Sequence, residues 1–304
     1  MSVQIKKTIN RNKKTRMNKP DTDYCRISIV LPSYNQDKYI ERTILSVIDQ
    51  NYPNTELIII DGQSTDESYN IACKYKEYFT TMISEKDNGQ SSAINKGFRL
   101  ATGDFITWLN TDDLLLPGSL HQVNMYAKKY PNATWFAGNF AWIDKDDAIL
   151  RLRKGEPWNG YFARQGFFSV YGPSTFLKKE LLEKHGYLRE DFHYMMDTEL
   201  WARLIFGGES FVRLKNYCWA LRLHEEAKMS GHNFSNSQYS DIHHPSWVQK
   251  RKEEEFIDTQ YFSLNRKKYN KPLFLLYKLI SANISDRLLS NLRYKMKHIN
   301  TLYI

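Results

Sequence analysis

Acidic residues follow three strand-like segments of this 304-residue chain, at positions suited to metal and phosphate chemistry. Asp61 ends the apolar run "ELIIID", Asp87 follows "TMISE", and the adjacent Asp112 and Asp113 follow "DFITWLN". An acidic pair without a neighbouring histidine or cysteine favours a hard divalent cation, Mg²⁺ or Mn²⁺. Because Mg²⁺ usually shares its shell with substrate phosphates, the pair predicts a phosphorylated ligand. The two acids could instead cap the following helix, and this alternative stays open.

Alternating strand and helix patterns must position these acids. The apolar spacing of "YIERTILSVIDQ" is that of one helix face, and "STDE" resembles a capping box. The predicted strands are Arg26–Pro32, Glu56–Asp61, Thr81–Glu85 and Asp104–Asn110, and the predicted helices run from Ser64 to about Tyr78 and from Gln90 to Ala101, with Pro117 in the first turn of the next. The alternation predicts a mainly parallel sheet covered by helices on both faces. In such sheets ligands bind at the carboxyl ends of the strands.

After about residue 130 the pattern changes. It predicts antiparallel strands around Asp144–Asp147, a strand entering a helix in "STFLKKELLEKHG", a helix at Met196–Gly208, and a long strand at Phe211–His224. From residue 235 the chain is helical in pattern, polar and basic. We therefore predict a disordered basic tail at residues 1–23, a main domain at 24–234 with halves 24–130 and 131–234, and a helical C-terminal extension at 235–304.

The net charge of +9 belongs to the two ends of the chain, and the central part is acidic. Basic ends could contact anionic lipid or nucleic acid, or could simply be solvated. Three scattered cysteines argue against a disulfide framework or a zinc site. No secretory signal and no apolar run of about 18 residues is visible. We expect a cytoplasmic protein.

The order of the motifs is more specific than any one of them. "SIVLPSYNQDKYIERTILSVIDQNYPNTELIIIDGQSTDES", "ISEKDNGQSSAINKGFRLATGDFITWLNTDDLLLPGSL" and "GPSTFLKKELLEKHGYLREDFHYMMDTELWARL" resemble the nucleotide-sugar glycosyltransferases of family 2 over roughly residues 26–230. The resemblance implies the GT-A fold, a Rossmann-like and mostly parallel sheet flanked by helices, with an antiparallel acceptor-side part. It also implies an inverting transfer of sugar from a nucleotide-diphosphate donor, most commonly UDP-linked, to a glycan or lipid-linked acceptor.

The resemblance assigns roles on the donor side. Pro32, Tyr34 and Glu41 match the motif that walls the nucleotide pocket. Asp61 matches the aspartate that accepts from the base, although "DGQS" is also a turn sequence. Asp87 and Gln90 match the loop near the ribose and donor sugar.

The resemblance also implies the metal ligands and the catalytic base. "NTDD" stands at the D-x-D-type motif, with Asn110 in place of the first acid, Asp112 as the main metal ligand and Asp113 beside it. Asp197 matches the general base, although it could equally be the N-cap of the next helix. His224 matches a late histidine that reaches the metal or diphosphate, and it could also be an ordinary polar residue.

Several alternatives remain open at this point. Phe167, Phe168, Tyr171 and Trp219 could form an acceptor platform, whereas Trp201 lies on an apolar helix face and is expected in the core. The chain could be a catalytically degenerate sugar-binding protein or, through its basic ends, a nucleic-acid binder, although no nucleic-acid module is recognisable. The helical spacing of Leu276, Leu279, Ile280 and Ile284 suggests peripheral membrane docking, packing on the main domain, or an oligomer contact.

Overall fold

The alternating elements of the first half form a parallel sheet, as predicted. A computed structural model describes residues 23–228, 245–263, 272 and 292–303. The strands of this half are β1 (Ile27–Ser33), β2 (Thr55–Asp61), β3 (Thr81–Ser84), β4 (Phe105–Trp108) and β5 (Leu114–Leu115), and its helices are α1 (Ile40–Ile48), α2 (Ser68–Cys73), α3 (Gln90–Leu100) and α4 (Ser119–Lys129). Strand β1 pairs in parallel with β2 and β4, and β2 pairs in parallel with β3.

The second half extends the same sheet with mixed strand directions. Its elements are β6 (Trp135–Ile143), β7 (Ile149–Arg153), α5 (Gly160–Ala163), β8 (Thr175–Leu177), α6 (Lys179–His185), α7 (Met196–Phe206), β9 (Val212–Arg222) and α8 (Pro245–Ile257). The strand order is β3-β2-β1-β4-β8-β6-β9-β5, and β7 pairs with β6. Strand β8 joins β4 and β6 antiparallel, the predicted β6–β7 pair is antiparallel, and β9 runs parallel to β6.

Alternate residues of the parallel strands enter two separate cores, which is why these strands are apolar throughout. Val30 of β1 packs into one core with α3 and α7, whereas Ile29 and Leu31 pack into the other with α1 and α4. Helix α3 lies so close to β1 that a Cβ on Gly97 would fall within 3 Å of the Val30 side chain. Helices therefore cover both faces of the sheet: α3 and α7 pack on one face, and α1 and α4 pack on the other.

Two local predictions are wrong in detail. The helix expected from Ser64 begins at Ser68, because the Ser64 hydroxyl and amide both donate to Asp61 instead of capping a helix. The helix expected at Pro117 begins at Ser119, after the two-residue strand β5, which the sequence patterns missed.

The C-terminal segment is not separate from the main domain. Ile257 and Phe262 are buried in the core that contains α7, and the Tyr261 hydroxyl donates to Glu199 of α7 at 2.9 Å. Ile299 packs beside β7. The described parts of the predicted C-terminal extension thus pack against the main domain. Residues 1–22 of the predicted tail at 1–23 lie outside the described residues, as do the four residues of the membrane hypothesis. No helix that the structure describes could span a bilayer.

Candidate functional site

A cleft of about 870 Å³ opens at the carboxyl ends of β1 and β4. It gathers seven of the residues to which the family resemblance assigns a role, namely Pro32, Tyr34, Asp87, Gln90, Asn110, Asp112 and Asp197. Four others, Glu41, Asp61, Asp113 and His224, do not line it. The cleft is where the sheet topology was expected to place a ligand site.

Asp112 lines the cleft, and His224 lies beside it outside the lining, so that the two together could hold a cation. Oδ2 of Asp112 lies 3.2 Å from Nε2 of His224, and the imidazole packs on the ring of Tyr39 at a centroid distance of 4.6 Å. The described residues contain no cluster of three or more candidate metal ligands. A carboxylate and an imidazole fit a divalent cation whose remaining positions come from waters and substrate phosphates.

Asp113 departs from its expected role as a metal ligand. Its side chain is fully buried and accepts from the Trp219 indole (2.9 Å), the Arg222 amide (2.9 Å) and the Asn110 side-chain amide (3.0 Å). Burial and the neighbouring Asp112 raise the pKa of Asp113 well above its ordinary value, against the opposing effect of these donors. Asp113 therefore ties the "NTDD" segment to β9 and faces away from the cleft.

Arg222 is a site residue that the sequence patterns missed. It is only 2% exposed, and its Nε donates to the carbonyl of Asp112 at 2.8 Å. Its guanidinium also pairs with Asp147 at 2.6 Å and lies over the Tyr39 ring. Strand β9 also contains Arg213 and Lys215, so its residue types alone do not single out Arg222. A fully buried arginine must be paired. It fixes the backbone that carries Asp112.

A chain of hydrogen bonds crosses the floor of the cleft. The Lys228 ammonium donates to the side-chain oxygen of Gln90 (3.1 Å), and the side-chain NH₂ of Gln90 donates to the side-chain oxygen of Asn110 (2.8 Å). The side-chain NH₂ of Asn110 in turn donates to the Asp113 carboxylate. An asparagine at position 110 can both accept and donate, which an ionised aspartate could not. Asn110 thus links Gln90, at the start of α3, to the buried Asp113.

The donor-side loop residues converge on Gly62. A Cβ at Gly62 would lie 2.8 Å from the Asp87 carboxylate and 3.3 Å from the Tyr34 ring, so a side chain here would displace both. Asp61, just before it, is fully buried and accepts from the hydroxyls of Ser64 (2.5 Å) and Ser84 (2.7 Å). In this conformation both Asp61 oxygens are engaged, as expected for the turn alternative.

Glu41 also departs from its expected place. It lies in the first turn of α1, outside the cleft lining, and accepts from the Tyr75 hydroxyl at 2.7 Å. Its contact stabilises the packing of α1 near α2. The sequence motif alone could not distinguish this inter-element contact from a place in the nucleotide pocket.

Asp197 lines the cleft from the first turn of α7. The N-cap of α7 is Met195, so the capping alternative for Asp197 is wrong. Its carboxylate accepts from the amides of Thr198 (2.7 Å) and Gly172 (3.3 Å). Burial raises the pKa of Asp197, and these donors act in the opposite direction. A carboxylate with a raised pKa in a cleft is suited to accept a proton near neutral pH.

Some of the aromatic residues line the cleft, and others lie in the hydrophobic core. Tyr171 and Trp219 line the cleft together with Phe140 and Trp142, which the sequence patterns missed. Trp201 is fully buried and stacks on Trp108 and Trp135, as expected of a core residue. The remaining platform candidates, Phe167 and Phe168, do not line the cleft.

Comparison with known proteins shows the family to which this chain belongs. The family model described as "Glycosyl transferase family 2" matches residues 28–185. An uncharacterised glycosyltransferase of Rickettsia felis is 27% identical over 274 residues, which cover 83% of this chain and 44% of that protein. The chain belongs to glycosyl transferase family 2.

The fold of this chain is similar to the folds of solved glycosyltransferase structures. The crystal structure of S. aureus TarS 1–349 in complex with UDP-GlcNAc superposes with a TM-score of 0.56 at 16% identity, covering 67% of this chain and 60% of that one. The mannosyltransferase PcManGT from Pyrobaculum calidifontis in complex with GDP-Man and Mn²⁺ gives 0.51 at 20% identity, covering 67% and 59%. The predicted GT-A fold is confirmed.

Part of the candidate site lies outside the residues that match the family model. Asp197, Arg222 and His224 all lie beyond residue 185. The chain spans 44 to 58% of the length of the first three curated relatives that it matches. The role of Asp197 as a base and the activity of the whole protein are therefore proposals.

Proposed function

We propose that this chain transfers a sugar, with inversion, from a UDP-sugar to a hydroxyl group of a glycan or lipid-linked acceptor. One observation carries the proposal: Asp112, suited to the diphosphate end of a donor, and Asp197, suited to act as a base, line the same cleft. The fold is that of proteins solved with UDP-GlcNAc and with GDP-Man and Mn²⁺. The predicted cytoplasmic location remains a prediction.

The reaction needs one displacement and no covalent intermediate. The acceptor oxygen forms a bond to the anomeric carbon while the bond from that carbon to the diphosphate oxygen breaks. Asp197 takes the acceptor proton as the oxygen attacks. The Thr198 and Gly172 amides hold its carboxylate in place and keep one face of it in the cleft.

Asp112 and His224 would hold Mg²⁺ or Mn²⁺, which when bound offsets the charge of the departing diphosphate. Arg222 keeps Asp112 in position through its carbonyl. On the donor side, Tyr34 offers an exposed ring for the base beside Gly62. A contact between Asp61 and the base would require a serine hydroxyl to turn away from its carboxylate.

Calorimetric titration of UDP in the presence and absence of Mn²⁺ tests the donor site. We expect UDP to bind in Mn²⁺, and Asp112→Asn to weaken this binding by at least about tenfold. Glu77→Gln removes an exposed carboxylate outside the cleft and is the matched control. UDP affinity that is the same in Asp112→Asn and the wild type would contradict the proposed metal ligand. Tighter binding of GDP would contradict the proposed nucleotide.

A further inference from the structure

Glu253 is a buried carboxylate of α8 that faces the loop before Asp197. It is 3% exposed, although both neighbouring positions of the run "KEEEF" are exposed. Its Oε1 accepts from the His193 amide at 2.8 Å, and its Oε2 accepts from the amides of Tyr194 (2.9 Å) and Met195 (2.8 Å). Three successive backbone donors thus point at a single side chain from a distant part of the sequence.

These donors belong to the segment that leads into α7. Met195 is the N-cap of that helix and makes no side-chain capping bond. The amides at a helix start need acceptors from outside the helix, and a negative charge there is favoured by the helix dipole. Glu253 supplies both from α8, and Gln249 holds its carboxylate through a 2.9 Å bond to Oε1.

The same loop is a wall of the active-site cleft. His193, Tyr194 and Met195 all line the cleft, and Asp197 follows within the first turn of α7. Two neighbours of Glu253 on α8, Lys250 and Glu254, line it as well. A shift of the loop would therefore move the start of α7 relative to the cleft.

We propose that Glu253 is a positioning residue for sugar transfer. It holds the 193–195 loop, and through it the start of α7, so that the Asp197 carboxylate stays aimed at the acceptor hydroxyl. Helix α8 is then part of the active site, although it lies beyond the residues of the family match. The inference rests on the proposed function, because it requires Asp197 to be the base.

Glu253→Gln tests this at nearly constant side-chain volume. One carboxylate oxygen becomes an amide nitrogen, which cannot accept and which meets the loop donors. We expect kcat to fall about tenfold or more, because small misplacements of a catalytic group are costly. The donor KM and the calorimetric UDP affinity should stay within about twofold of the wild type, and hydrogen exchange of the 193–195 amides should accelerate.

Tyr261→Phe is the matched control for stability. It removes the hydrogen bond from the same C-terminal segment to Glu199 of α7 without touching the loop. We expect it to lower Tm while kcat stays near the wild-type value. Glu255→Gln, an exposed position of α8, should change neither.

Three outcomes distinguish failure of the Glu253 inference from failure of the proposed function. Wild-type kcat in Glu253→Gln, with Asp197→Asn inactive, would overturn the Glu253 inference alone. An equal loss of kcat in Tyr261→Phe at equal Tm would also overturn it, since the effect would then be general loosening. Full activity in Asp197→Asn would overturn the proposed base and the inference with it. If Glu253→Gln fails to fold, Glu253→Asp keeps both acceptors one methylene further back, and it should give a smaller loss confined to kcat.

Discussion

The buried carboxylate Glu56 and the half-buried carboxylate Asp197 lie at opposite edges of the sheet and have different environments. Glu56, at the amino end of β2, accepts from the Thr102 amide (2.7 Å), the Thr102 hydroxyl (2.8 Å), the Ser28 hydroxyl and the Arg26 guanidinium (2.9 Å). Asp197, in the cleft at the carboxyl edge, accepts from two amides and a hydroxyl at 3.3 Å. None of the described residues forms an ion pair with Asp197.

The difference appears in the direction of their pKa shifts. Burial raises the pKa of both groups. For Glu56 the hydrogen bonds from Ser28, Thr102 and Arg26 outweigh burial, so its pKa is lowered. For Asp197 burial prevails. A fully satisfied carboxylate stabilises the fold, whereas an under-satisfied one is available for proton transfer.

The largest expected effect comes from Asp197→Asn. An amide cannot take the acceptor proton, so kcat should fall by about 10² to 10⁴ while UDP affinity is retained. The folded pKa of Asp197 is raised, so at neutral pH its charge disfavours the folded state, and removing the charge should leave Tm equal or higher. Steady-state kinetics and thermal unfolding measure both. A clear drop in Tm would show that Asp197 is structural, as Glu56 is.

Glu56→Gln should have the opposite effect, lowering stability while leaving kcat unchanged. Its amide keeps one acceptor oxygen and places donors against the Thr102 and Ser28 groups, so two or more buried hydrogen bonds are lost. We expect the free energy of unfolding to fall by about 2 kcal/mol, measured by urea denaturation. Because the residue lies at the edge away from the cleft, kcat of the folded fraction should be unchanged. A loss of kcat without loss of stability would break the comparison.

The parallel half of the fold could be predicted because its signals are local. Helix spacing and continuous apolar strands are properties of short segments, and each strand end carried its own polar cluster. The resemblance implied Asp112 as the main metal ligand, but the burial of Asp113 could not be predicted. Adjacent side chains point in different directions, and the pairing of β5 with β9 turns Asp113 towards Trp219 and Arg222.

Glu253 was beyond prediction for a related reason. A run of charged residues in a helix is typical of a solvated face, and nothing within the run distinguishes one glutamate from the next. Its partners are amides some 60 positions earlier, which carry no sequence signal. Glu56 has the same character, since its partners are Arg26 and Ser28 at the start of β1 and Thr102 between α3 and β4.

The smallest expected effects concern pH. Since the pKa of Glu56 is lowered, its contribution to stability is present above the ordinary glutamate pKa of about 4.3 and is lost as pH falls through the folded value. Since the pKa of Asp197 is raised, activity should decline at a pH above the ordinary aspartate value of about 3.9. On acidification, kcat should therefore fall before the Glu56 contribution is lost, as pH profiles of kcat and of urea unfolding would reveal.

Thr198→Val tests the predicted difference in pH dependence between Asp197 and Glu56. It removes the 3.3 Å hydroxyl donor to Asp197 and keeps the 2.7 Å amide donor. A donor to the charged form lowers a carboxylate pKa, so its loss should move the acid limb of kcat to higher pH. The change should be small, since the lost bond is long and the amide remains.

Ser28→Ala, the equivalent removal beside Glu56, should instead cost about 1 kcal/mol of unfolding free energy and leave the kcat profile in place. An acid limb that moves in Ser28→Ala but not in Thr198→Val would mean that the kinetic proton acceptor is not Asp197.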